Sequence, residues 1–225
     1  LLVLCNPHNP IGKVYTREEL ERIAGIVERH GGRVFSDEIH APLTFSEATH
    51  LPYASINEVA AGHTISAVSC SKAWNTAGLK CAQMVLTNED DRQRWVGFGG
   101  GVPYQGSLPG SFATVAAYRQ GRPWLDNVLA YLDTNRRVLA EQVAAQLPGV
   151  PTVLPQATYL AWLDVRGLGL PDDLAAFFRT HAKVAVNDGA HCGDAGRGFI
   201  RLNFATPTPI LRRMIDQLAT AVARR

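Results

Sequence analysis

Short apolar runs separated by helical segments govern the first half of this sequence, and few folds accommodate that pattern. LLVLCN (1–6) reads as a strand. Thr16 and Glu19 then form a Thr-x-x-Glu capping box. Leu20, Ile23, Ala24 and Val27 follow on one helical face, and Gly31-Gly32 stops the helix. RVFSDEI (33–39) and TISAVSCS (64–71) are the next strands, and KCAQMVLT (80–87) is a fourth that returns after a turn at Gly78. Strands interleaved with helices imply an α/β fold with a mostly parallel sheet. The opening run is apolar enough for a strand buried on both faces of such a sheet. It needs neighbours, some of them from outside these 225 residues, so the chain reads as the carboxyl-terminal part of a longer protein.

A Gly-rich stretch, Gly97 to Gly110, reads as a loop near a domain junction, because neither a Walker-type nor a strand–GxGxxG–helix context surrounds it. A long helix follows, with Pro123 at its start and Pro148-Gly149 at its end. Trp124, Val128, Leu132, Leu139, Val143 and Leu147 keep its helical period. The last third reads as a smaller α+β unit. TYLAWLDV (158–165) and GFIRLNFA (198–205) alternate as strands, and Pro171 to His181 is a helix facing Leu174, Phe177 and Phe178 inward. Thr208 and Pro209 suit the N-cap and first turn of a final helix. The expected organisation is 1–125 as part of a large domain, and 126–225 as the long connecting helix with a small domain.

Hydrophobic residues make up 46% of the chain and charged residues 19%, so a sizeable core is within reach. A net charge of +2 gives no reason to expect nucleic acid or an anionic membrane as partner. Cys5, Cys70, Cys81 and Cys192 form no CxxC pair and no zinc-type cluster, a pattern of reducing compartments. With no signal peptide and no apolar run near the ~18 residues that span a bilayer, the expected location is the cytoplasm.

The strand ends carry the chemistry. In an open parallel sheet, ligands bind beyond the carboxyl ends of the strands. Here those ends are Asn6-Pro7-His8-Asn9-Pro10, Ser36-Asp37-Glu38-Ile39-His40 and Ser69-Cys70-Ser71-Lys72. A lysine at a sheet terminus is most often a solvated cap. Lys72, however, follows Ser69 and Ser71, with Lys80 eight residues on. Hydroxyls and a second cation around a short loop suit a phosphate, and a lysine beside a carbonyl cofactor can serve as nucleophile and then base. Asp37 reads either as a surface charge or as the partner of a pyridinium nitrogen. His40 is either structural or a hydrogen-bond donor to a ring hydroxyl. Asn9 sits between two prolines that hold its loop, and its amide is placed to reach that hydroxyl. Arg201, inside an otherwise apolar strand, needs an anion: a salt-bridge carboxylate or a substrate carboxylate held bidentately.

NPHNPIG, SDEIH, SCSKAWNTAGLKCAQ, TYLAWLD and GFIRLNFATP together resemble fold-type I pyridoxal-phosphate (PLP) enzymes of the class I/II aminotransferase superfamily. They are most similar to the MalY/PatB branch of cystathionine β-lyase-like C–S lyases. The resemblance runs from residue 5 to residue 207. It implies a PLP-dependent transferase-like fold: the carboxyl-terminal part of the large domain plus a small α+β domain. It makes Lys72 the Schiff-base lysine and Asp37 the pyridinium partner. Asn9 and His40 face the ring hydroxyl, Ser69, Ser71 and Lys80 contact the phosphate, and Arg201 holds the substrate α-carboxylate. Ile11 departs from the threonine usual in this motif, which costs a loop hydrogen bond. The resemblance further implies a homodimer with an active site between subunits.

Two enzymatic outcomes use the same residues. A C–S β-lyase acts on a small amino-acid substrate bearing a β-thioether and yields pyruvate, ammonia and a thiol. An aminotransferase reprotonates the cofactor instead of expelling the thiolate. A third outcome is a PLP-binding regulator acting through a protein partner, against which the intact set of Lys72, Asp37 and Arg201 argues.

Overall fold

Strands β1 (Leu2–Cys5), β2 (Val34–Asp37) and β3 (Thr64–Val68) run parallel, and β4 (Gln83–Leu86) joins them antiparallel, in the order β1-β2-β3-β4. The computed structural model describes residues 1–99 and 106–225. Residues 100–105, the middle of the Gly-rich stretch expected to be a loop, lie outside the described residues. Two units are distinguished: Leu1–His8 with Lys13–Asn127, and Asn9–Gly12 with Val128–Arg225.

In the first unit, helix α1 (Arg17–Arg29) begins where the sequence places it. Thr16 Oγ1 accepts from Glu19 N at 3.2 Å, and the Glu19 carboxylate accepts from Thr16 N at 2.9 Å. Gly31, at φ +54°, then adopts the left-handed turn that L side chains resist. Leu20, Ala24 and Val27 of α1 pack with Leu4, Val34, Tyr53, Ile56 and with Ala60 of α2 (Glu58–Gly62). One carboxylate lies inside this unit. Glu38 Oε1 accepts from Ser36 Oγ at 2.8 Å and from Tyr53 N at 3.0 Å, and His50 Nε2 lies 3.3 Å from Oε2. These partners offset the desolvation that would otherwise expel a buried charge. Among the described residues β1 is the outer strand of its sheet, and Val3 is 65% exposed. Helices α3 (Glu89–Gly99) and α4 (Leu108–Gln120) complete the unit.

Helix α5 (Arg122–Gln146) carries the chain into the second unit. Leu132, Leu139, Val143 and Leu147 are buried as the periodicity requires, but near its start Leu125 is the buried residue and Trp124 is exposed. Strands β5 (Leu160–Asp164), β6 (Asn187–Asp188) and β7 (Phe199–Asn203) form an antiparallel sheet in the order β5-β7-β6. Period-two alternation buries Ile200, Leu202 and Phe204 and leaves Phe199, Arg201 and Asn203 on the other face. Helix α6 (Leu174–His181) is capped by Asp173, whose carboxylate accepts from Ala176 N at 2.8 Å. Helix α7 (Thr208–Ala223) starts one residue earlier than its proline suggests. Thr208 lies inside the helix, and its hydroxyl donates to Asn135 Oδ1 at 2.7 Å instead of capping. Asn135 is buried and donates in turn to the carbonyls of Phe204 and Thr206 at 2.9 and 2.7 Å. One carboxamide on α5 thereby holds the whole turn between β7 and α7.

No helix among the described residues is long and apolar enough to cross a membrane. The four cysteines are free, and among the described residues no cluster of His, Cys, Asp and Glu could hold a metal.

The packing of α1 predicts an asymmetry along one helix. Leu20→Ala should cost about 2–5 kcal/mol of stability. Ile26→Ala, at a position 50% exposed, should cost less than about 1 kcal/mol. Urea unfolding of the two variants measures the difference.

Candidate active site

The ends of the parallel strands lie side by side because their register is unshifted. Cys5 pairs with Asp37, and Asp37 with Ala67. The ladder continues one step beyond the strands: Asn6 N donates to Asp37 O at 3.0 Å, and Glu38 N to Ala67 O at 2.9 Å. The loops after β1, β2 and β3 therefore leave the same edge of the sheet. They carry Asn6-Pro7-His8, Asp37 to His40, and Ser69 to Lys72.

Asp37 is half-buried. Its Oδ1 accepts from Ile39 N at 3.1 Å, and no cationic side chain among the described residues pairs with it. His40 is buried and opens the short 3-10 turn Ala41–Leu43.

Lys72 lies in the turn after β3, half-buried, with no hydrogen-bond or ion-pair partner among the described residues. Its flanks are tied down. Two residues earlier, the buried Cys70 Sγ sits 3.1 Å from Thr76 Oγ1 and 3.3 Å from Thr114 Oγ1. Two residues later, Trp74 Nε1 donates to Gly121 O at 2.9 Å, and its ring meets Tyr118 edge-on at 5.5 Å. Lys72 thus sits midway between anchors on α4 and at its carboxyl end. Gly121 must be glycine here, since a Cβ would lie 2.4 Å from Trp74 Nε1.

The two serines differ. Ser69 is buried, and its hydroxyl donates to Cys81 O at 2.7 Å while accepting from Ser71 N at 3.1 Å. It braces the loop. Ser71 is half-buried, and Lys80 is exposed at a left-handed backbone position, φ +52°. That conformation is uncommon for a residue with a Cβ. The Lys80 carbonyl accepts from Ser107 N at 3.2 Å.

Asn9 and Arg201 belong to the second unit, and the structure joins them across 192 positions of sequence: Arg201 Nη1 donates to Asn9 Oδ1 at 2.9 Å. The Asn9 loop, with cis peptides before Pro7 and Pro10, is held by Gly12. Its carbonyl accepts from Gln156 N at 2.8 Å and Ala157 N at 3.1 Å, and a Cβ there would meet Pro155 Cβ at 2.3 Å. Ile11 is exposed beside it. Arg201 Nη2 donates to Asn187 Oδ1 at 3.1 Å, while Nε is buried and has no partner. The salt bridge that would explain an arginine in an apolar strand is absent among the described residues. Nearby, burial pushes the Tyr159 phenol up, and the positive charge of Arg201 partly opposes that shift.

Among the described residues, Asp37 and Lys72 in the first unit and Arg201 in the second are half-buried without an opposite charge. Asp188, also buried, is held by backbone amides alone, whereas other buried ionic groups are paired. Arg136, almost fully buried, binds Asp133, and Arg33 binds the buried Asp91. A half-buried charge left uncompensated by its own chain fits a ligand of opposite sign.

Polar charged groups at the carboxyl ends of parallel strands define an α/β ligand-binding protein. The family described as aminotransferase class I and II matches residues 1–221, and the chain belongs to that family. Protein MalY of Escherichia coli (strain K12) is 38% identical over 225 residues, covering 99% of this chain and 57% of that protein. A cystathionine beta-lyase of Corynebacterium glutamicum is 37% identical over 224 residues, 98% of this chain and 59% of that protein. Among solved structures, cystalysin from Treponema denticola, which contains a pyridoxal 5'-phosphate cofactor, superposes with a TM-score of 0.94 at 30% identity. That match covers 99% of this chain and 57% of the cystalysin chain. The chain thus spans less than two thirds of the length of these relatives.

Sequence reasoning did not single out Asn135 or Asn187, and it did not foresee the brace that Ser69 makes. Asn135 lies on the apolar stripe of α5, three residues after Leu132 and four before Leu139, and a polar residue on such a stripe was the available signal. The brace made by Ser69 and the contact of Asn187 with Arg201 have no local signature.

Two outcomes follow. Ser69→Ala leaves a carbonyl and an amide without their partner and should lower stability by about 1–3 kcal/mol, measured by denaturant unfolding. His8 lies in the loop after β1 with a buried, unpartnered Nδ1. Burial, and then the charge of Lys13, hold its pKa below the ordinary 6.5. The unfolded chain therefore takes up a proton that the folded chain refuses. The stability from neutral His8 is complete above pH 6.5 and is lost as pH falls through the lowered native value. Stability measured between about pH 7 and pH 5 should fall less steeply in His8→Gln than in the parent.

Proposed function

We propose that the protein acts as a pyridoxal-phosphate-dependent C–S β-lyase on an amino acid with a β-thioether, releasing pyruvate, ammonia and a thiol. The observation that carries this reading is the set of half-buried, uncompensated charges on Lys72, Asp37 and Arg201. An amine, an acid and a guanidinium are the groups that a carbonyl cofactor, its ring nitrogen and a substrate carboxylate call for. The residues present fit the cofactor. Bound PLP supplies an electron sink for the carbanion at the substrate Cα.

The chain's own residues divide the remaining work. Lys72 Nζ is the nucleophile toward the cofactor carbonyl and the base that takes the Cα proton. Asp37 holds a proton on the ring nitrogen, and Asn9 and His40 hydrogen-bond the ring hydroxyl. Ser71 and Lys80 bind the phosphate, and Ser69 joins them by turning its hydroxyl proton from Cys81 O to a phosphate oxygen. Arg201 binds the α-carboxylate, its charge undiminished by any carboxylate of its own. Loss of a thiolate from Cβ followed by hydrolysis yields the products. In this reading residues 1–125 hold the cofactor, 126–225 form the connecting helix and the small domain, and the protein works as a cytoplasmic homodimer.

The second reading, an aminotransferase, is favoured by the family description. One assay separates the two. Given cystathionine and no added keto acid, the protein should release pyruvate and free thiol in equal amounts. Accumulation of pyridoxamine phosphate without pyruvate would establish transamination instead. Borohydride reduction should leave a pyridoxyl adduct on Lys72, seen by peptide mass spectrometry. Lys72→Ala should lose both the adduct and at least about 1,000-fold of the rate.

A further inference from the structure

The contacts of Arg201 carry one inference beyond these roles. Arg201 has five N–H donors and a charge that cannot be removed by deprotonation. Its two recorded acceptors, Asn9 Oδ1 at 2.9 Å and Asn187 Oδ1 at 3.1 Å, are both neutral carboxamide oxygens. Each occupies one donor of one terminal nitrogen. The remaining three donors include the buried, unpartnered Nε–H.

Asn187 owes its position to strand pairing. It lies directly opposite Arg201 across the β6–β7 ladder, as Trp162 does across β5–β7. Residues paired across an antiparallel ladder share a face. The next residue, Asp188, is an acid, and alternation turns it to the opposite face with Ile200. There Asp188 is buried and fully engaged: Oδ1 accepts from Ala190 N at 2.9 Å, and Oδ2 from Leu174 N at 3.0 Å. The Asn187-Asp188 dipeptide thus sorts an amide and an acid onto opposite faces. The face of Arg201 receives an acceptor that orients the guanidinium without cancelling its charge.

We propose that Asn187 is a positioning residue for α-carboxylate recognition, holding the Arg201 guanidinium from the β6 side while its neutrality preserves the full positive charge for the substrate anion. The proposal rests on the reading of Arg201 as the carboxylate ligand.

The test compares Asn187→Asp, Asn187→Ala and Arg201→Ala in the PLP-loaded protein. Asn187→Asp is nearly isosteric and keeps the acceptor, but it gives Arg201 an internal counter-ion. It should raise KM for cystathionine at least about 10-fold with kcat changed less than about 3-fold, because a contact equal in ground and transition states moves KM alone. Asn187→Ala, which loses orientation and keeps the charge, should raise KM by a smaller factor. Calorimetric titration with an unreactive α-methyl amino acid should show the same order of weakening. Its decarboxylated amine should bind all Asn187 variants as it binds the parent, a result a misfolded variant could not give. Asn187→Asp within 2-fold of the parent for the carboxylate ligand, or no worse than Asn187→Ala, would overturn the role of Asn187. Equal weakening for the amine would do the same, since it marks general damage. If Arg201→Ala itself leaves carboxylate affinity unchanged, the reading of Arg201 fails, a separate result from the failure of Asn187 alone.

Discussion

The unshifted parallel ladder through Cys5, Asp37 and Ala67 is the constraint on which the site depends. Parallel strands in register end together, and their following loops must leave from one edge of the sheet. Asn6, Glu38 and Ser69 are the first residues past those ends, and each is buried and hydrogen-bonded. A slip of one residue in β2 would exchange its two faces. Asp37 would turn inward towards Leu4 and Leu20, and Ser36 and Val34 outward. The apolar stripe of α1 opposes such a slip, because Val34 would leave the core it shares with Leu20 and Val27. The same packing that stabilises the sheet therefore fixes where its acid emerges.

In both units the chain fixes its backbone and leaves selected charges unmatched among the described residues. Glu38, the residue after Asp37, is buried under three partners. Asp37 has one backbone donor and no cation. Lys72 has no partner among the described residues, yet the residues two before and two after it are tied to α4 and its end. Arg201 is held by two amides and by no acid. In each case the backbone is fixed and the charge is kept available, which is the arrangement in which a charged ligand gains most from binding.

Much of this was legible in the sequence. Capping-box chemistry located α1, and alternation located β7 and the facing of Arg201, because both depend on residues a few positions apart. Arg201 stood out as a charge inside an apolar strand, and Asp37 and Lys72 as charges at or just past strand ends, Lys72 beside Ser69, Ser71 and Lys80. Legibility failed where contacts span long loops or oppose a local preference. Thr208 is an ordinary N-cap residue, but Asn135, seventy-three positions earlier, takes its hydroxyl. Trp124 lies eight residues before Leu132, yet Leu125, seven before Leu132 and so nearer its face, is the one buried.

By itself, the sequence determined the element types, the alternating α/β order and the family, and it singled out the candidate reactive groups, since each is written in local patterns or in short motifs. Only the tertiary structure decided that Asn9 and Asn187 meet on Arg201, that Ser69 turns its hydroxyl to Cys81, and that Asp188 is spent on backbone amides. The physical reason is one of range. Propensity, capping and alternation act within a few residues, whereas a hydrogen-bond partner is whichever group the packed strands and loops bring within about 3 Å.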